Sequence, residues 1–215
     1  MNTEVCPELV RRFTVRKVVA AAAMLLWLAA VTVPLAYLCA AHLVPFRTGA
    51  LPAQFLPAPS DGVKKPAWQM IHFLAADCPC SQAVAAHLLQ RGPLPGVVEA
   101  VALVGRDPAL EQLLRARGFA VRLTTEADLA RMPRVPAVPS LFIRSPQREM
   151  VYAGGYAPRG VVAPAANAEA TLLTRLKRGE KIAEYPVNGC AVGRALRAKI
   201  DPLQLRYGKS TVSNP

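Results

Sequence analysis

Twenty-seven consecutive residues, 18–44 (VVAAAAMLLWLAAVTVPLAYLCAAHLV), contain no Lys, Arg, Asp or Glu. A run of that length and composition is long enough to cross a bilayer as one helix. At about 1.5 Å per residue it reaches roughly 40 Å, beyond the ~30 Å hydrocarbon layer, so tilt or a bend at Pro34 is expected. A cleavable export signal is the competing reading, but its apolar core is about half as long and is followed by small residues. Here Tyr37 and Leu38 stand before Cys39, where a lipoprotein site wants small side chains. The reading is an uncleaved anchor.

Arg11, Arg12, Arg16 and Lys17 precede the run, and Arg47 alone lies in the dozen residues after it. This asymmetry predicts a cytoplasmic N-terminal tail, 1–17, and export of everything beyond residue 44. In a Gram-negative bacterium that compartment is the periplasm, where cysteines can pair. Residues 45–66 (PFRTGALPAQFLPAPSDGVKKP) hold five prolines without helical or strand period and read as a stiff tether. A domain over 67–205 follows, with a frayed tail at 206–215. At 53% hydrophobic the chain is too apolar for disorder. The net charge of +12 comes from basic residues scattered as singles, without the aromatic-interleaved cluster of a nucleic-acid binder.

Within the domain, 68–75 (WQMIHFLA) reads as a strand, Asp77-Cys78-Pro79-Cys80 as a turn, and SQAVAAHLLQRG as a helix stopped by Gly92 and Pro93. Residues 97–104 (VVEAVALV) form a second buried strand, and Asp107 with Pro108 starts a helix that Gly118 closes. A third strand covers 119–124, and Thr125 with Asp128 fits a capped short helix. Pro136 and Pro139 interrupt the chain before a hairpin of 141–144 and 149–154, and a last helix covers 167–178. Strands alternating with helices predict an α/β sheet with helices on both faces.

Cys78 is the focal residue. With Pro79 as the first helical residue, Cys78 becomes the N-cap, facing free backbone N–H groups and the positive end of the helix dipole. Both favour thiolate, which makes Cys78 the candidate nucleophile. Cys80 is either its disulfide partner or a residue facing the core; Cys190, in YPVNGCAVG, is the only other cysteine beyond residue 44. Either can resolve a mixed disulfide on Cys78. One static disulfide with one inert thiol is the bland alternative. His72 inside a strand reads as a satisfied core or edge residue, and His87 lies roughly 10 Å along the helix from Cys80, too far to share a metal. Tyr152, Tyr156 and Tyr185 read as packing on the sheet, and Gly154-Gly155 as a bulge or bend. Nothing resembles a phosphate loop or a Ser-His-Asp set, so no cofactor and no metal is assigned.

FLAADCPCS occupies the place of the strand, WCxxC and helix of thioredoxin-like proteins, and Ala137-Val138-Pro139-Ser140 resembles their proline loop. With the strand pair LFIRSPQREMVYAGG, residues 67–192 are similar to the membrane-anchored periplasmic thiol-disulfide oxidoreductases of the TlpA and ResA kind. CPCS, the downstream GG, Asn167 and the C-terminal Asn-Gly-Cys resemble the RedB-type subset. The resemblance implies a thioredoxin-like three-layer α/β/α sandwich and a redox site of Cys78, Cys80 and Cys190. It implies a cis Val138-Pro139 bond whose backbone meets an extended substrate segment. It further implies a single-pass protein of the bacterial inner membrane that exchanges thiols and disulfides with exported or membrane-bound proteins and a redox partner. The spacing departs from the pattern, being Cys-x-Cys, and Asp77 replaces the tryptophan; Asp77 could cap the helix, and as an anion it opposes ionisation of Cys78. A copper-handling relative of the Sco type and a non-catalytic scaffold are the alternative functions.

Overall fold

The computed structural model describes residues 7–43, 67–132, 135, 137–158 and 168–201. The tether at 45–66, Pro136, Asn167, residues 202–205 and the tail at 206–215 lie outside them. The chain divides into two compact units, Met1–Ala41 and His42–Pro215.

The first unit is built on α1, Pro7–Leu43. Its stretch Val15–Ala36 is long and apolar enough to cross a membrane, and the helix continues through Pro34. Thr32 donates its hydroxyl to the Leu28 carbonyl one turn back (2.7 Å), which pairs a polar group within an apolar stretch. Leu26 is 76% exposed and Trp27 63%, as an apolar helix that buries no face of its own must be.

The second unit alternates strand and helix. β1 (Trp68–Ala75), α2 (Pro79–Arg91), β2 (Val97–Val104), α3 (Pro108–Ala116) and β3 (Ala120–Thr124) come first. The short α4 (Glu126–Ala130), β4 (Ala137–Val138), β5 (Ser140–Arg144) and β6 (Met150–Gly154) follow, then α5 (Ala168–Lys177), β7 (Cys190–Ala191) and α6 (Arg194–Ile200). The main sheet has the order β3-β2-β1-β5-β6. β1, β2 and β3 are parallel, which requires the crossover helices α2 and α3 between them. β5 and β6 add antiparallel strands at the β1 edge, with a register irregularity at Ile143/Arg144.

Alternation along each strand assigns the two faces. Ile71, Phe73, Ala102, Val104, Phe142 and Ala153 pack on one face with Leu129 of α4. Met70, Leu74, Val101, Leu103, Leu141 and Ile143 pack on the other against α2, α3 and α5. The strand bounds expected at 68–75 and 97–104 are those observed. The Thr125–Asp128 capping box is present in both directions, Asp128 N donating to Thr125 Oγ1 (3.2 Å) and Thr125 N to Asp128 Oδ2 (3.0 Å). Two elements are additional to the sequence reading: α6, and the two-stranded sheet of β4 and β7.

Gly154-Gly155 lies where β6 ends, as the expected bulge or bend would, and its missing side chains also make room for a crossing chain. A Cβ at Gly155 would collide with the Pro186 carbonyl oxygen, and one at Gly154 would stand 2.8 Å from the Tyr185 oxygen. The pair lets the chain at 185–187 cross the end of β6, where Gly155 N donates to Tyr185 O (2.8 Å). The Tyr152 hydroxyl donates to Gly155 O (2.6 Å) and accepts from Tyr185 N (3.3 Å). These contacts aim the following residues at the end of β1 where α2 begins.

Candidate active site at Cys78

The turn between β1 and α2 is tied at both ends. Ala76 N donates to Val104 O (2.9 Å) and Cys78 N to Ala75 O (3.2 Å). The Ser81 hydroxyl, one turn into the helix, accepts from Ala75 N (3.0 Å), and Gln82 Nε2 donates to Ala76 O (3.1 Å). Cys78 is the N-cap of α2 with Pro79 in the first turn, where proline sacrifices no hydrogen bond. The sulfur makes no capping hydrogen bond. It is turned instead toward Cys190, with which it forms a disulfide (Cα–Cα 6.2 Å) closing a separation of 112 residues. Both cysteines are buried.

Cys80 is a free, half-buried thiol packed against the same apolar cluster. Of the two partners the sequence left open for Cys78, the structure pairs it with Cys190 and sets Cys80 at the first turn of the helix toward the core.

The Val138-Pro139 peptide bond is cis, and the Val138 carbonyl oxygen lies 3.9 Å from Cys78 Sγ. Val138 is fully buried, and its backbone does not stand open. It pairs antiparallel with Cys190, as Ala137 does with Ala191. The edge on which the sequence placed an extended substrate is occupied by the chain's own segment. Asp77 does not cap α2. Its side chain is 68% exposed and stands 3.9 Å from the Arg197 guanidinium, whose Nε donates to Ala191 O (2.8 Å). Arg197 of α6 therefore reaches both the turn that precedes Cys78 and the strand β7 that carries Cys190.

The opposite face of the sheet holds a group that the sequence reading found only in part. His72 and Glu99 are neighbours on β1 and β2, fully buried, with His72 Nε2 3.0 Å from Glu99 Oε2. A carboxylate only accepts, so Nε2 carries the hydrogen; Nδ1 meets the Tyr156 hydroxyl at 2.8 Å. Arg91, at the end of α2, donates both terminal nitrogens to Glu99 (3.0 and 2.7 Å), and Leu94 N adds a third bond (2.6 Å). Burial pushes the Glu99 carboxyl up, but the hydrogen bonds and charges of His72 and Arg91 outweigh it and hold it at about 2. Glu169 of α5 pairs with His87 (3.0 Å) and lies 3.6 Å from Arg91. Burial pushes the Tyr152 and Tyr156 phenols up. The signal was present in VVEAVALV, since a single acid in a buried strand requires a cation. Among the described residues no three of His, Cys, Asp and Glu converge as a metal-holding group.

No protein-family model and no curated protein matches the chain. Solved structures do. An uncharacterized conserved protein from Geobacillus kaustophilus is 17% identical, over 71% of this chain and 89% of that one, with a TM-score of 0.49. A secreted Mycobacterium tuberculosis disulfide oxidoreductase, described as homologous to E. coli DsbE, is 14% identical over 62% and 96%, with a TM-score of 0.42. A thioredoxin-family thiol:disulfide interchange protein from Chlorobium tepidum is 12% identical over 62% and 94%, with a TM-score of 0.39. The unit from β1 to α6 is itself a mixed α/β fold, a central sheet with parallel β1–β3 and antiparallel β5 and β6 and helices packed on both faces.

Proposed function

We propose that the chain is a membrane-anchored thiol-disulfide oxidoreductase that acts on exported proteins, with Cys78 as nucleophile and Cys190 as the resolving cysteine. The observation that carries the reading is the Cys78–Cys190 disulfide at the N-terminus of α2. Reduced Cys78 would lie where the helix dipole favours thiolate. It attacks a substrate disulfide: the Cys78–substrate bond forms, the substrate S–S bond breaks, and one substrate thiolate leaves. The Cys190 thiolate then attacks Cys78 Sγ, the internal disulfide forms, and the second substrate thiolate leaves. The substrate gains two electrons and, from solvent, two protons, and the two cysteines of the protein lose the electrons. The reverse sequence oxidises a dithiol. The apolar stretch of α1, with Arg11, Arg12, Arg16 and Lys17 before it, supports a single-pass anchor in the inner membrane with the domain in the periplasm.

The test equilibrates the full chain across glutathione buffers, traps free thiols and maps them by mass, then measures turnover on a disulfide substrate. The expected result is a reversible Cys78–Cys190 pair, turnover lowered about 10³-fold by Cys78→Ser and largely retained by Cys80→Ser. Turnover by Cys78→Ser equal to the parent chain would sink the mechanism and leave a scaffold.

A further inference from the structure

The segment around Cys190 has the geometry of an extended chain delivering a cysteine to Cys78. β7 lies antiparallel on β4 with Val138 opposite Cys190, and the cysteine is bonded to Cys78. The residue before it is Gly189, and a Cβ there has no room. It would collide with the Val138 carbonyl oxygen and stand 2.7 Å from Val138 C and 2.9 Å from Pro139 Cδ. These are backbone and ring atoms of the folded core, so no side-chain rotation relieves the clash. Gly189 is not among the glycines of positive φ, so what it provides is space. Gly193, four residues on, has nothing within 4 Å of a Cβ, so the constraint belongs to the position beside the cysteine.

Any cysteine that bonds Cys78 while its chain pairs with Val138 brings its preceding residue to the same place. We propose that Cys78 engages partner proteins at cysteines directly preceded by glycine, presented as an extended Gly-Cys segment antiparallel to Ala137–Val138. The inference rests on Cys78 being the reactive thiol. In the oxidised chain the edge is filled by the chain's own Gly-Cys, so a partner docks only once the Cys78–Cys190 bond has opened and that segment has left.

The test uses the full chain carrying Cys80→Ser, Cys190→Ser and Gly189→Val, the last keeping its own segment off the edge. Peptides Val-Asn-X-Cys-Ala-Val, with X as Gly, Ala or Val, are supplied as mixed disulfides with glutathione. When the Cys78 thiolate attacks the peptide sulfur, the peptide–glutathione bond breaks and glutathione leaves as thiolate, with no net oxidation. Attack on the other sulfur gives the Cys78–glutathione adduct, an internal measure of thiol reactivity. The ratio of peptide to glutathione adduct on Cys78 is expected to be about tenfold or more higher for Gly than for Ala or Val. Equal ratios overturn the inference while leaving Cys78 reactive; no adduct of either kind overturns the nucleophile reading as well. A second measurement keeps all native cysteines. Gly189→Ala is expected to lower the equilibrium constant of the Cys78–Cys190 disulfide against glutathione about tenfold or more, and Gly193→Ala to leave it unchanged. An unaltered constant in Gly189→Ala also overturns the inference.

Discussion

The two faces of the central sheet are built from neighbouring residues of the same strands and have opposite chemistry. Ile71 and Phe73 point to a side whose reactive content is sulfur, Cys78, Cys80 and Cys190 among apolar side chains. His72, between them in sequence, points to a side where Glu99, Arg91, Glu169, His87 and Tyr156 form a buried polar chain. A sulfur pair is neutral when closed, and the thiolate it yields at Cys78 on opening lies at the N-terminus of α2, which favours it. A buried carboxylate cannot lose its cation without a large cost. One face can change covalent state while the other is fixed, and the fixed face grips the C-terminal half of α2, whose N-terminus presents Cys78.

Arg91→Met is the most severe way to break this comparison. It leaves Glu99 and Glu169 buried without their shared cation, and the expected loss is about 3–5 kcal/mol in urea unfolding. The Cys78–Cys190 equilibrium constant, measured on the molecules that stay folded, should move less than about twofold. A large change in that constant would mean that the faces are coupled through α2.

Acid probes the same face more gently. Glu99 is held at about 2 in the folded chain against about 4.3 when unfolded. A depressed carboxylate contributes stability that is fully present above its unfolded value and is lost as pH falls toward the folded one. Stability is expected to decline between about pH 5 and pH 2, by about 3 kcal/mol from this group. Glu99→Gln should flatten that slope in urea titrations at pH 7 and pH 3. An unchanged slope would move the acid-sensitive group elsewhere.

The unequal legibility of the two faces has a physical origin. Strand period, prolines at helix starts and the Thr125/Asp128 cap are local signals, and the strands and helices from β1 to α5, β4 excepted, follow from them. Cys78 as N-cap is local too. The partner of Cys78 is not: 112 residues separate it from Cys190, and the choice between Cys80 and Cys190 depends on where Gly154, Gly155 and Gly189 let the later chain cross. β7 and β4 are two residues each, too short for any period to reveal, and their pairing is set by tertiary approach. The acid in VVEAVALV announced a buried charge, but not that Arg91 and His72 would meet it.

The smallest effect separates two contacts made by one side chain. Arg197 stands 3.9 Å from the exposed Asp77 and donates Nε to the Ala191 carbonyl at 2.8 Å. A solvent-facing pair at that distance is weakened by water and salt, so Asp77→Asn should change stability by less than about 0.5 kcal/mol. Arg197→Met removes the hydrogen bond to β7 as well and should cost about 1–2 kcal/mol, read as faster loss of β7 amide protection in hydrogen exchange. If Asp77→Asn instead matches Arg197→Met, the ion pair across the cysteine turn holds α6 in place. The sulfur face would then share the other side's dependence on paired charge.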